Sequence, residues 1–171
     1  MRLDINQMTT SLQEGLMTAK RMATNKGHQE VDTVHLFLSF LQEDHLFTNI
    51  LRRSDFTIEN VKQSLQHLLE RKPRVSGSGV DLNSFYLTND LRKTLSKAEE
   101  LRLQWQDNYI SIEHVLWAVI VAKTNVTDLF LMKKEDIKQA IEEIRGNQKV
   151  TSQNPEGTYE VLHKYGRDLV E

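Results

Sequence analysis

Cysteine is absent from this chain. That excludes disulfides, thiolate metal sites and a cysteine nucleophile, and it fits a reducing compartment. Proline and glycine are scarce, at 2 and 7 of 171 residues, so few breakers interrupt regular structure and the composition leans towards helix. No Gly-x-x-x-x-Gly-Lys-Ser/Thr phosphate loop occurs, which leaves the chain no basis for hydrolysing ATP. His-Glu-x-x-His and Gly-x-Ser-x-Gly patterns are missing as well, so neither zinc-dependent nor serine-based catalysis finds a motif. An excess of positive charge is lacking too. With 22 Lys and Arg against 24 Asp and Glu, nothing drives the chain generally towards nucleic acid or an anionic membrane. The start, Met1-Arg-Leu-Asp-Ile-Asn-Gln7, has no apolar core after a positive region, so it does not read as a signal peptide. The longest apolar run, 115–122, falls well short of the roughly 20 residues of a membrane span. The expectation is a soluble cytoplasmic protein, not itself an enzyme, with no metal and no cofactor of its own.

What is present is a pattern written twice. Met8, Leu12, Leu16 and Ala19 recur at steps of three and four, and so do Leu87, Leu91, Leu95, Ala98, Leu101 and Trp105, the spacing that lines one face of a helix. A constant offset of 79 pairs Leu12 with Leu91, Leu16 with Leu95, Ala19 with Ala98, Val31 with Ile110 and His35 with His114. After a three-residue deletion the match resumes, with Glu59-Asn-Val-Lys-Gln-Ser-Leu65 on Glu135-Asp-Ile-Lys-Gln-Ala-Ile141. The chain therefore reads as an all-α tandem duplication, repeat one at 8–77 and repeat two at 87–146, joined through 72–80. Each copy has four helices, about eight in all. Neither copy buries enough apolar surface alone, so the two are expected to pack about a pseudo-twofold axis. From Gly146 the texture turns polar and breaker-rich, which reads as a linker over 147–158.

The repeated helix start invites a chemical reading. Asp32-Thr-Val-His35 and Ser111-Ile-Glu-His114 each place a histidine three residues after a residue able to cap a helix. Its ring would reach back to the cap as the Glu of a capping box does. The apolar runs that follow, 36–41 and 115–120, are expected to be buried core, and Trp105, ending a helix before a polar turn, to be partly exposed. The copies differ at two places. Asp107 stands opposite His28, and Glu113 opposite Val34. Glu113, in the first turn of its helix, favours that helix through the dipole by about 0.3–1 kcal/mol. Thr9 and Thr88 have a similar role as helix caps. A binding role for these residues stays open beside the structural one.

The paired repeats, the linker and the tail together resemble the N-terminal domain of the Clp family of AAA+ unfoldases, in its disaggregase branch. The most specific pieces are Met1-Arg-Leu-Asp4, Asp107-Asn-Tyr-Ile-Ser-Ile-Glu-His114 and Ile141-Glu-Glu-Ile-Arg-Gly146. Tyr159-Glu-Val-Leu-His-Lys-Tyr-Gly-Arg-Asp-Leu169 resembles the segment that leads into the first ATPase module. The resemblance implies a double Clp N-domain over 1–146, a linker over 147–158 and, at 159–171, the beginning of that segment. It implies a domain that engages unfolded or aggregated client proteins and delivers them to the channel of a homohexamer. ATP and magnesium would serve ATPase modules beyond this chain, and adaptor proteins are possible partners. Carried over residue by residue, it implies client-binding roles for Thr9, Asp107 and Glu113, pictured as the acidic rim of a shallow apolar groove. Relatives that receive phosphoarginine or adaptors carry Gly-Thr-Glu-His in both repeats, whereas here only the second copy keeps its glutamate. A stand-alone adaptor or scaffold, or an adaptor- or phosphoarginine-binding domain, is the alternative.

Overall fold

A computed structural model of the protein describes residues 4–72, 86–146 and 148–155. Most of the expected join at 72–80 and the whole tail at 159–171 lie outside the described residues. After a 3₁₀ turn at Ile5–Gln7, eight α-helices follow among the described residues: α1 Thr10–Asn25, α2 Thr33–Phe40, α3 Leu46–Arg53, α4 Ile58–Glu70, α5 Asn89–Gln104, α6 Ile112–Val121, α7 Thr127–Leu131 and α8 Lys134–Arg145. They fall into two sets of four, as the offset predicts.

The duplication shows in single hydrogen bonds. Gln7 and Met8 meet Ile110 through a parallel bridge, in which Ile110 N donates to Gln7 O at 2.8 Å and Thr9 N to Ile110 O at 2.9 Å. Shifted by 79, Val31 N donates to Tyr86 O at 2.7 Å and Thr88 N to Val31 O at 3.0 Å. Each repeat's first helix therefore starts against the turn that opens the other repeat's second helix. Both starts are capped alike, with Thr9 Oγ1 accepting from Leu12 N and Thr88 Oγ1 from Leu91 N.

Packing seals the pair. Within the repeats α1 lies on α2 and α5 on α6, and across them α3 lies on α8. Phe130 of α7 sits among Phe37, Phe47 and Phe56 of the first repeat at centroid distances of 5.7–6.3 Å. One aromatic core thus serves both copies, which is the burial a single copy lacks. Gly15 permits the α1–α2 approach, since a Cβ there would lie 2.4 Å from Phe40 Cε1. No helix among the described residues is long and apolar enough to cross a membrane.

Candidate functional site

Both histidines cap their helices as their spacing predicts. His35 Nδ1 accepts from Asp32 N at 2.8 Å, and His114 Nδ1 accepts from Ser111 N at 2.8 Å. With Nδ1 an acceptor, the ring proton sits on Nε2, and its partner differs between the copies. His35 Nε2 meets His28 Nδ1 at 2.8 Å, while His114 Nε2 donates to Asp107 Oδ2 at 2.7 Å. Burial pushes His35 down to about 4, and the neighbouring His28 and Lys72 add to this against the opposing pull of Asp32.

Asp107 is the hub of the second repeat. It is 3 % exposed and accepts four hydrogen bonds: from His114, from Arg145 Nη1 at 2.9 Å and Nη2 at 2.7 Å, and from Val150 N at 2.9 Å. Burial alone would raise its pKa. The donors and the Arg145 charge outweigh burial and hold the carboxyl far below the usual range. Glu113, 1 % exposed, takes a short bond from Ser111 Oγ on Oε1 and faces Arg145 Nη1 with Oε2 at 3.5 Å. The guanidinium also donates a hydrogen bond through Nη2 to Gln148 O at 3.0 Å and lies 5.5 Å from the Trp105 ring centre.

This geometry corrects the expected acidic rim. Asp107 and Glu113 are buried, and their oxygens are turned to the chain's own Arg145. Thr9 is fully buried and caps α1. The structure brings Asp107 and Glu113 together but leaves Thr9 at the far side of the 107–111 turn, bonded through its backbone to Ile110.

Above the network opens a cleft of about 500 Å³, lined by Leu101, Trp105, Trp117, Ile141 and Arg145, with Lys138, Glu142 and Lys149 at its edges. Trp105 and Trp117 are half-buried, and both face this one space. Arg145 forms its floor, so the two carboxylates act beneath the cleft. Sequence reading passed over Arg145. Its signal lay in the repeat alignment, where Asp107, Glu113 and Arg145 replace His28, Val34 and Leu69 together. No cluster of three or more His, Cys, Asp or Glu able to hold a metal occurs among the described residues.

The stretch 148–155, expected as linker, is pinned to the domain. Asn108 N donates to Val150 O at 2.7 Å, Thr10 N to Gln153 O at 2.7 Å, and Lys149 Nζ to Trp105 O at 2.9 Å, while the Val150 side chain is buried.

Comparison with known proteins places this arrangement. The family described as Clp repeat (R) N-terminal domain matches residues 7–134. A chaperone protein ClpB of Bacillus cereus is 46 % identical over 172 residues, covering 98 % of this chain and 20 % of the relative. The chain thus spans about a fifth of the length of the curated relatives it matches. Among solved structures, the Hsp104 N-terminal domain from Candida albicans superposes with a TM-score of 0.72 at 19 % identity, covering 86 % of this chain and 97 % of that one. A ClpV N-domain in complex with a VipB peptide superposes with a TM-score of 0.65 at 15 % identity, covering 83 % and 91 %. These two show the same fold. The family match and the 46 % identical relative carry more: this chain belongs to the Clp repeat (R) N-terminal domain family.

Proposed function

We propose that this domain captures exposed apolar segments of unfolded or aggregated polypeptides in the Trp105–Trp117 cleft and passes them to an ATP-driven hexamer to which it is joined. The observation that carries the reading is the cleft itself. Two half-buried tryptophans facing one open space offer large apolar surface that folding has not covered, and such surface gains free energy when a client's Leu or Phe displaces water from it. The name of the Bacillus cereus relative supports a chaperone, and the peptide-bound ClpV N-domain supports a polypeptide ligand.

Thr9, Asp107 and Glu113 enter this function as positioning residues. Asp107 and Glu113 hold Arg145 beside the Trp105 ring, and Thr9 fixes the start of α1 against the turn that carries Asp107. A single such cleft binds weakly and permissively, which suits a site that must release its client. Six copies on a hexamer would restore avidity by raising local concentration.

The test is the affinity of the domain for an unstructured, fluorescein-labelled peptide rich in Leu and Phe, read by anisotropy. Trp117→Ala is expected to weaken binding about tenfold, the loss typical of a central aromatic contact. Unchanged affinity in a variant that still folds would remove the cleft from the function.

A further inference from the structure

The polypeptide that leaves the domain also builds its cleft. Gln148 and Lys149 line the cleft wall beside Arg145 and Gly146, and these two residues begin the segment pinned across the 107–111 turn. Gly146 makes this path possible. Its φ of 57° turns the chain sharply off the end of α8, a conformation that residues with a Cβ avoid.

The ties of Gln148, Lys149 and Val150 reach groups that also shape the cleft or its support. Asp107 Oδ1 accepts from Val150 N and from Arg145 Nη2, so one oxygen holds both the strap and the floor. Arg145 Nη2 donates to Gln148 O, and Lys149 Nζ donates to the backbone oxygen of Trp105. Further along, Gln153 O accepts from Thr10 N, and Gln153 Nε2 donates to Asn6 O at 3.0 Å. The strap therefore crosses from the cleft to the start of α1, touching both repeats.

We propose that strap 148–155 is the closing wall of the client cleft, and that strap docking and client binding are linked so that each strengthens the other. The sign follows from the lining. A ligand that touches Gln148 and Lys149 makes those contacts only when the strap is docked, so it binds the docked state more tightly, and by reciprocity it raises the docked fraction. Occupancy of the cleft is thereby converted into order in the segment through which the domain continues. This inference rests on the cleft being the client site.

The experiment is backbone hydrogen exchange on the full chain, with and without a saturating unstructured peptide rich in Leu and Phe, whose binding is followed separately by anisotropy. The amides of Thr10, Asn108 and Val150 report docking, because each takes part in a strap hydrogen bond. Peptide binding should slow their exchange at least threefold, while amides in the middle of α2 and α4 stay unchanged. Binding with unchanged or faster exchange at these three amides overturns the linkage and leaves the cleft reading intact. Failure of the peptide to bind, or binding that Trp117→Ala does not weaken, overturns the cleft reading and the linkage with it. As a reciprocal check, Val150→Ala loosens the strap and should weaken peptide binding at least threefold. Equal affinity in a folded Val150→Ala domain contradicts the proposal.

Discussion

Beneath the second helix of repeat two three charged side chains meet, and the repeat alignment fills the corresponding places of repeat one in the opposite way. In repeat one they are His28, Val34 and Leu69; in repeat two they are Asp107, Glu113 and Arg145. The backbone frame is the same, down to the histidine that caps the helix. Exchange of a buried ion network for neutral groups of similar bulk is often close to neutral in stability, so either set can serve the fold. The surface above does not stay equal. Trp105 and Trp117 of repeat two stand where repeat one has Lys26 and Leu38. A tryptophan-lined cleft with a fixed guanidinium in its wall is thus a property of the second copy.

The sharpest way to break the comparison is to remove one member of the set. Arg145→Leu, which copies Leu69, leaves two carboxylates buried without their cation and is expected to cost about 3–5 kcal/mol in urea unfolding. Adding Asp107→His and Glu113→Val in the same chain recreates the first-repeat set and should recover most of that loss. A triple variant no more stable than the single one would refute the equivalence of the two sets.

A smaller effect is expected where the copies exchange volume. Gly15 and Phe40 of repeat one correspond to Thr94 and Val119 of repeat two. Gly15→Ala places a Cβ 2.4 Å from Phe40 Cε1. Overpacking of about 1–3 kcal/mol should then exceed the gain in helix propensity of up to about 1 kcal/mol. Phe40→Val in the same chain, which copies Val119, should relieve the clash.

The smallest effect is one of pH. Burial lowers His45 to about 4, as it does His35, from an unfolded value near 6.5. The unfolded chain therefore binds protons between pH 6.5 and 4 that the folded chain does not, and stability falls as the pH is lowered through that window. Repeat two has Thr124 at the position of His45: His45 caps α3, its Nδ1 accepting from Phe47 N, while Thr124 Oγ1 accepts from Val126 N in the turn before α7. His45→Thr is expected to leave the melting temperature at pH 7.5 almost unchanged and to flatten its decline towards pH 4 by a few degrees. An unchanged slope would show that His45 does not titrate as described.

Much of the fold was legible because it is local or repeated. Helical spacing marked the core faces of α1 and α5, and Asp32 to His35 and Ser111 to His114 announced the caps through a three-residue interval. The eight-helix all-α architecture followed from the offset of 79. The candidate site was legible only in part, because its decisive pairing is remote. Asp107 and Arg145 are 38 residues apart, and periodicity reveals which face of α8 turns inward without revealing what charge waits there. Asp107 and Glu113 were correctly singled out as the difference between the copies. Their direction was misread, since a carboxylate beside a polar turn looks solvent-facing until the cation that buries it is known. Residues 147–158 read as linker, and 148–155 are the part of them that the structure describes. Their polar texture is real, but Val150 and the backbone groups around it are claimed by Asp107, Asn108 and Thr10.

The central claim is that the second repeat's cleft receives the client, and the protein carries its own reporter for it. Its only 2 tryptophans, Trp105 and Trp117, both line that cleft. Titration with an unstructured, tryptophan-free peptide rich in Leu and Phe, followed by intrinsic fluorescence, should give a saturable blue shift whose midpoint matches the affinity measured by anisotropy. Peptide binding with no change in tryptophan emission would place the client elsewhere and contradict the account.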